Sequence, residues 1–191
     1  MSRMLLLVPR MYSEKEFKGL VSLMPDDFKA RSSEFWGYVE EKLQIFMGRT
    51  HRVYRDGIVR GGVEGLAFLC SEHGENFLIV KKLVENGAVF EVTEDSMLVA
   101  ESGSWAEAIK QNPLDSISHE MYEETLRERD RYVSKRIDDT LRDEETGVLF
   151  MKPGRTVGLN PQIKIVKVCR FEPEDYLRSW QATLKTKTQP S

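Results

Sequence analysis

Apolar residues occur along this chain in short runs and in longer spaced patterns, which predict strands and helices in alternation. The run at residues 148–151 contains no polar residue. A strand that is apolar at consecutive positions is covered on both faces, as in parallel sheets flanked by helices. Further strands are predicted from the apolar runs at residues 4–8, 52–54, 88–92 and 163–168, the last in a mostly buried position.

The spaced patterns predict helices. Ser13 with Glu16, and Ser104 with Glu107, have the spacing of capping boxes that begin helices. The segment 63–73 is apolar on nearly all sides, so we expect it to be deeply packed. The predicted helices span residues 14–24, 28–47, 63–73, 76–85, 95–100, 104–112, 116–142 and 173–184.

Pairs of helices separate many of the strands, and connections of that length imply parallel pairing. The fold class is therefore predicted to be α/β, with one domain over residues 1–184, a mostly parallel sheet and helices on both faces. Residues 185–191 are predicted to form a polar tail.

Composition narrows the functional classes. The 191 residues are 40% hydrophobic and 31% charged, with a net charge of -3, which gives no general reason to expect nucleic acid or an anionic membrane as a partner. The apolar run at residues 4–8 is short for a signal peptide, and no segment approaches the ~20 apolar residues of a membrane helix. Cys70 and Cys169 lie in apolar segments and are interpreted as buried, reduced thiols of a cytoplasmic protein. The chain length, composition and net charge are compatible with a homo-oligomer.

Charged residues follow four of the predicted strands. Because ligands of open α/β sheets bind beyond the carboxyl ends of the strands, these residues are expected to meet at one edge. They act either as solvated loop charges and helix caps or as a site for an anion. The residues concerned are Arg10, Tyr12, Ser13 and Glu14, then Arg55, Asp56 and Arg60, then Thr93, Glu94 and Asp95, and finally Lys152, Arg155 and Thr156.

Metal and cofactor motifs are not found in the sequence. The histidines His51, His73 and His119 are far apart, and no CxxC, HxxxH or HExxH pattern occurs. The glycines at residues 57–62 do not fit GxGxxG, and no phosphate loop is present. We therefore expect neither a metal nor a cofactor.

The long helix carries a charge in an unusual position. Asp130 falls in line with Leu126, Val133 and Ile137, on or beside the apolar side. A charge there needs a partner, and an arginine from the sheet edge is one option.

The order of several motifs carries a family resemblance over residues 4–168. YRDG, TED, RERDR within the long helix, and ETGVLFM together resemble uncharacterised bacterial and archaeal α/β proteins that are distantly similar to the TraB, GumN, ChaN and erythromycin-esterase-like superfamily. The resemblance implies an α/β fold and, for some members, metal-dependent hydrolysis. It carries over to Glu14, Tyr54, Asp56, Glu64, Asn76, Glu94, Arg129 and Asp130.

Two departures weaken the hydrolytic implication. Tyr12 stands where the superfamily often has a histidine or glutamate, and Pro153-Gly154-Arg155 replaces a glycine-histidine pair. Arginine is neither a metal ligand nor a base near neutral pH.

The leading functional prediction is a pocket for a small anionic ligand at the carboxyl edge of the sheet, in a degenerate relative of hydrolases. The alternatives are an active hydrolase using Glu14, Glu94 and Asp130, or a structural or partner-binding module. The predicted ligand-binding residues are Arg10, Tyr12, Arg55, Asp56, Arg129, Lys152 and Arg155.

Overall fold

The computed structural model describes residues 3–72 and 76–188. The strands in this part of the chain are β1 (Arg3–Pro9), β2 (Arg52–Arg55), β3 (Val89–Phe90), β4 (Thr146–Met151) and β5 (Ile163–Lys167). The helices are α1 (Glu14–Lys18), α2 (Phe28–Gln44), α3 (Gly62–Ser71), α4 (Phe77–Glu85), α5 (Ser96–Gln111), α6 (Ser116–Thr140) and α7 (Pro173–Thr188).

All five strands are parallel, in the order β3-β2-β4-β1-β5. Strand β4 lies at the centre, where Val148 is paired with Leu6 on one side and with Val53 on the other. Residues 147–151 are all buried. The prediction that this run forms a strand covered on both faces is confirmed, and with it the α/β class.

The two faces of the sheet belong to two hydrophobic clusters, because successive strand residues point to opposite sides. Leu6 and its neighbours pack with α1, α2, α3, α4 and α7. Leu5 packs with Val133 and Ile137 of α6, and α5 packs on α6. The connections after β1 and β2 therefore cross one face. Those after β3 and β4 cross the other, since Val157 and Leu159 join the α6 cluster.

The first helix is shorter than predicted. Ser13 and Glu16 form the expected capping box, but α1 ends at Lys18 and not near Met24. Gly19 directly follows the helix, and its N–H already bonds back to the carbonyls of the last turn. Glycine is a poor helix former, which favours termination here. Leu20, expected on the buried face, is 47% exposed.

The predicted break inside the fifth helix is wrong. Helix α5 runs without interruption, capped by Asp95 alone. The Ser104 hydroxyl, expected to cap a second helix, instead donates to the Ala100 carbonyl inside α5 at 3.1 Å. A serine can satisfy its hydroxyl in this way within a helix, and packing along α6 favours the continuous form.

Helix α3 is not deeply packed on all sides. Only Gly65 and Leu69 are buried, whereas Val63 is 83% exposed. The helix lies over the two-residue edge strand β3, so one face has nothing large enough to cover it. Gly65 allows this approach, since a Cβ there would come within 2.3 Å of the Arg60 carbonyl oxygen and within 3.1 Å of the Phe90 ring.

Both cysteines are free, but their predicted burial is wrong. Cys70 is exposed on the open face of α3, and Cys169 is half-buried. His73 and Gly74, expected at the end of this helix, lie outside the described residues.

The edges of the sheet also differ from expectation. Strand β5 is an edge strand with Ile165 47% exposed, so its predicted mostly buried position is wrong. Strand β3 is confined to two residues of the predicted five. At the end of the chain α7 continues to Thr188, so part of the predicted polar tail is helical, and residues 189–191 lie outside the description. Over the described ranges, no helix has both the length and the apolar character needed to cross a membrane.

Candidate functional site

The loops after β1, β2 and β4 meet at one aspartate. Arg10, just beyond β1, donates from Nε to Asp56 Oδ1 at 2.9 Å. The backbone N–H of Lys152, just beyond β4, donates to the second carboxylate oxygen at 3.2 Å. Asp56 itself follows β2 and is 6% exposed. The predicted convergence of these strand ends is therefore present.

The loop after β3 enters the same edge through Glu94, whose side chain is completely buried. Arg129 of α6 donates from Nε to Glu94 Oε2 at 3.0 Å, and the Gly57 N–H donates to Oε1 at 3.3 Å. Arg155 donates to both Glu94 and Asp130. The expectation that Asp130 is paired is thus confirmed, and of the partners left open it is an arginine from the sheet edge.

The charges of this second group, Glu94, Arg129, Asp130 and Arg155, compensate one another. Burial disfavours the charge of Arg155, but hydrogen bonds and attraction to Glu94 and Asp130 outweigh it and raise the pKa of Arg155. Its side chain is 15% exposed, and that of Arg129 is 18% exposed. Both arginines predicted to bind a ligand therefore already hold carboxylates of the chain itself.

A cleft of about 830 Å³ opens on the other side of Asp56. It lies between the start of α1, the end of β2 and the start of α4. Four of the seven predicted ligand-binding residues line it. The lining residues that bear on its chemistry are the cations Arg10, Lys15, Arg55 and Lys152, the carboxylates Glu14, Glu16 and Glu72, and the side chains of Tyr12, Trp36 and Asn76.

Arg10 and Arg155 do not share a cavity. Arg155 lines a smaller cavity of about 440 Å³, between the loop after β4 and the exposed edge at Ile165. Arg10 faces the larger cleft together with Arg55. Arg10 and Arg155, both predicted to bind the ligand of one pocket, are therefore divided between two cavities, and Arg55 is the neighbour of Arg10.

Arg55 is a buried cation whose charge is poorly compensated by its neighbours in the cleft. It is 7% exposed, and Nη1 donates to the Asp56 carbonyl at 2.8 Å. Nη2 reaches the half-exposed carboxylate of Glu72 only at 3.4 Å. Burial, and then the charge of Arg10, lower the pKa of Arg55, against smaller opposing effects of carboxylates that include Asp56 and Glu72. An added negative charge would relieve both effects.

Several residues that line this cleft carry buried hydrogen-bond donors without a partner. In the described part of the chain, four buried side-chain nitrogens have no partner, and three belong to lining residues: Trp36 Nε1, Arg55 Nε and Asn76 Nδ2. The fourth is Arg155 Nη2. An unsatisfied buried donor costs about 1–3 kcal/mol. All three groups at the cleft are donors, so they favour a ligand rich in acceptors.

Trp36 was not among the predicted ligand residues. Its position in the apolar pattern of α2 predicts a core side chain, and nothing in the sequence distinguishes it from Phe35 beside it. Asn76 was carried over by the family resemblance alone. Only the position of Trp36 and Asn76 at the cleft, near the ends of β1 and β2, indicates a role in ligand binding.

The three candidate catalytic carboxylates are not brought together. Glu94 and Asp130 share Arg155. Glu14 lies at the start of α1, half-exposed, with Lys18 at 2.6 Å, and the hydrogen bond from Lys18 lowers the pKa of Glu14.

The remaining motif residues lie apart from the cleft. Tyr54 shares a hydrogen bond of 2.8 Å with Thr140 on the α6 face. Glu64 forms an exposed pair with Arg60 at 3.3 Å.

The described part of the chain contains no candidate metal site. Over residues 3–72 and 76–188, no group of three or more His, Cys, Asp or Glu side chains is placed to hold a metal ion.

Comparisons with models of known families, with curated proteins and with solved structures gave no match. The resemblance to the TraB-type superfamily consequently stays a hypothesis.

Proposed function

We propose that this protein binds a small anionic ligand in the cleft lined by Arg10, Arg55 and Lys152. One observation carries the proposal: Arg55 is buried beside a second arginine and keeps an unpartnered Nε. Guanidinium groups present planar donors that match carboxylate and phosphate oxygens. The position agrees with the general rule that ligands of open α/β sheets bind beyond the strand carboxyl ends.

The titratable groups of the cleft favour binding over hydrolysis. Burial, first of all, raises the pKa of Tyr12, which keeps its phenol protonated near neutral pH. Glu16 is partly buried, which opposes its charge, but hydrogen bonds from Ser13 and attraction to Arg10 lower its pKa overall. A general base works best with a pKa near the operating pH, and neither group meets that condition. We keep a cytoplasmic location as part of the same proposal, which the two unpaired cysteines favour.

Thermal melting with inorganic phosphate, acetate and citrate tests the proposal, with ionic strength held constant. Wild type is compared with Arg55→Gln and with Arg60→Gln, a control that removes an exposed arginine outside the cleft. A ligand at about a hundred times its Kd stabilises the fold by roughly 2.7 kcal/mol. We expect a saturable rise in Tm for wild type and the control, and none for Arg55→Gln. Equal shifts in all three proteins, or no shift in any, would overturn the proposal.

A further inference from the structure

Apolar and aromatic side chains also line the cleft, which bears on what the anion is attached to. Leu20 and Trp36 both line the cleft, Leu20 with 47% of its surface exposed and Trp36 partly exposed. Met11 and Tyr12 continue the same lining and are buried. The cavity therefore combines charged groups, both basic and acidic, with aromatic and aliphatic side chains.

The indole of Trp36 is held in place by the core. Its ring meets the fully buried Phe35 edge to face, with centroids 5.2 Å apart and planes at 89°. A fixed indole is a pre-organised surface for a flat ring, and aromatic pairs are worth about 0.5–1.5 kcal/mol beyond the area they bury. Arg55 is fixed in a similar way by its bond to the Asp56 carbonyl.

The volume of the cleft indicates a ligand larger than the simplest anions. Pockets for small molecules and cofactors occupy about 300–1,000 Å³, and the cleft of about 830 Å³ falls in that range. Acetate or inorganic phosphate would satisfy Arg55 and leave Leu20 and Trp36 uncovered. Trp36 and Asn76 line the same cleft and each carries a buried N–H group without a partner, which favours a ligand with acceptors separate from the anionic group.

We infer that the ligand of this cleft is a heteroaromatic anion: a flat ring that bears hydrogen-bond acceptors and a carboxylate or phosphate group. The anionic group pairs with Arg55 and Arg10, the ring packs against Trp36 and Leu20, and ring acceptors take the N–H groups of Trp36 and Asn76. This inference rests on the proposed anion site and adds the chemical class of the ligand.

Titration calorimetry with a graded set of probes tests the inference. The carboxylates are acetate, cyclohexane carboxylate, benzoate and pyridine carboxylate, and the phosphates are methyl phosphate and phenyl phosphate. We expect affinity to rise in that order among the carboxylates, with benzoate at least tenfold tighter than acetate. Phenyl phosphate is expected to exceed methyl phosphate by a similar factor. Discrimination in only one of the two series supports the inference and identifies the anionic group.

Trp36→Phe separates the ring contact from the indole N–H. This substitution keeps an aromatic side chain, so benzoate binding should persist, while the preference for pyridine carboxylate over benzoate should disappear. Trp105→Phe is the matched control, because Trp105 lies on α5, donates to Glu101 at 3.4 Å and does not line the cleft. Melting of both variants checks that the fold is intact.

These experiments distinguish failure of the heteroaromatic inference from failure of the anion-site proposal. If neither series discriminates, so that acetate binds like benzoate and methyl phosphate binds like phenyl phosphate, and Arg55→Gln abolishes binding, the heteroaromatic class is overturned while the anion site stands. If Trp36→Phe leaves the preference for pyridine carboxylate unchanged, the assignment of the indole N–H is overturned. If no probe binds wild type, both proposals fall.

Discussion

Glu94 should be one of the most costly single charges to remove from this protein. Its carboxylate is fully buried and holds Arg129, Arg155 and the Gly57 N–H at once. Glu94→Gln keeps the shape but replaces one acceptor oxygen with an amide that faces an arginine. Breaking a buried pair by removing one partner costs about 3–5 kcal/mol, since the remaining charges are left without compensation.

That loss can be measured as urea unfolding and as a change in Tm. In a protein of 150–250 residues each kcal/mol corresponds to about 2–4 °C, so the expected fall in Tm is about 6–20 °C. Asp139→Asn is the control, because Asp139 lies 2.7 Å from Lys135 in an exposed pair one helical turn away. Exposed pairs of this kind contribute only about 0.3–0.5 kcal/mol.

A double-mutant cycle with Arg155→Met refines the test. Removing both charges leaves Arg129 facing the neutral glutamine, so Glu94→Gln with Arg155→Met should cost clearly less than the sum of the single changes. A loss below about 1 kcal/mol for Glu94→Gln, or strict additivity of the two substitutions, would refute the view that this network is held together by buried charge.

Three further predictions use other parts of the molecule. Alkylation of the native protein, followed by mass spectrometry, should modify exposed Cys70 first, because burial and then the Glu172 carboxylate raise the pKa of Cys169 to about 11. Denaturation without reductant should expose two free thiols. A mass lower by two hydrogen atoms than that of the reduced chain would contradict this. The purified protein should carry no stoichiometric transition metal, and elemental analysis finding about one zinc, manganese or iron per chain would favour the hydrolase alternative. Glu16→Gln should lower stability at pH 7, since the folded state holds the pKa of Glu16 below its usual value. That difference should shrink as the pH falls below about 4, where the carboxylate is protonated in the unfolded chain and then in the folded protein; an unfolding difference that does not change with pH would exclude this carboxylate as its source.

The sheet was predictable because its signal is local. The apolar run that becomes β4 is short for a helix and lies between polar turn segments, which favours a strand covered on both faces, and a central place agrees with that cover. The meeting of Arg10, Asp56 and Glu94 at one edge follows from parallel strands alone. These inferences need only the direction of each strand, which short-range patterns supply.

What could not be predicted depends on distances between elements. Several arginines and carboxylates follow the strands, and sequence alone does not say that Arg155 reaches Glu94 whereas Arg55 is left beside Arg10. The same limit applies to Leu20, whose spacing fits a helix that Gly19 ends. Tertiary packing decides both outcomes, since a weak local preference is easily overridden.

The carboxyl edge is divided at Asp56 into two halves that respond differently to substitution. On one side the carboxylates of Glu94 and Asp130 neutralise their arginines, so a change there should appear in stability. On the other, burial and Arg10 lower the pKa of Arg55, so its charge is itself a cost to the folded state. Arg55→Gln should therefore leave Tm near or above that of wild type while anion binding is lost, as expected where a site is kept at the expense of stability. If Arg55→Gln instead lowers Tm as far as Glu94→Gln does, Arg55 belongs to the structural network and the cleft loses its principal ligand-binding residue.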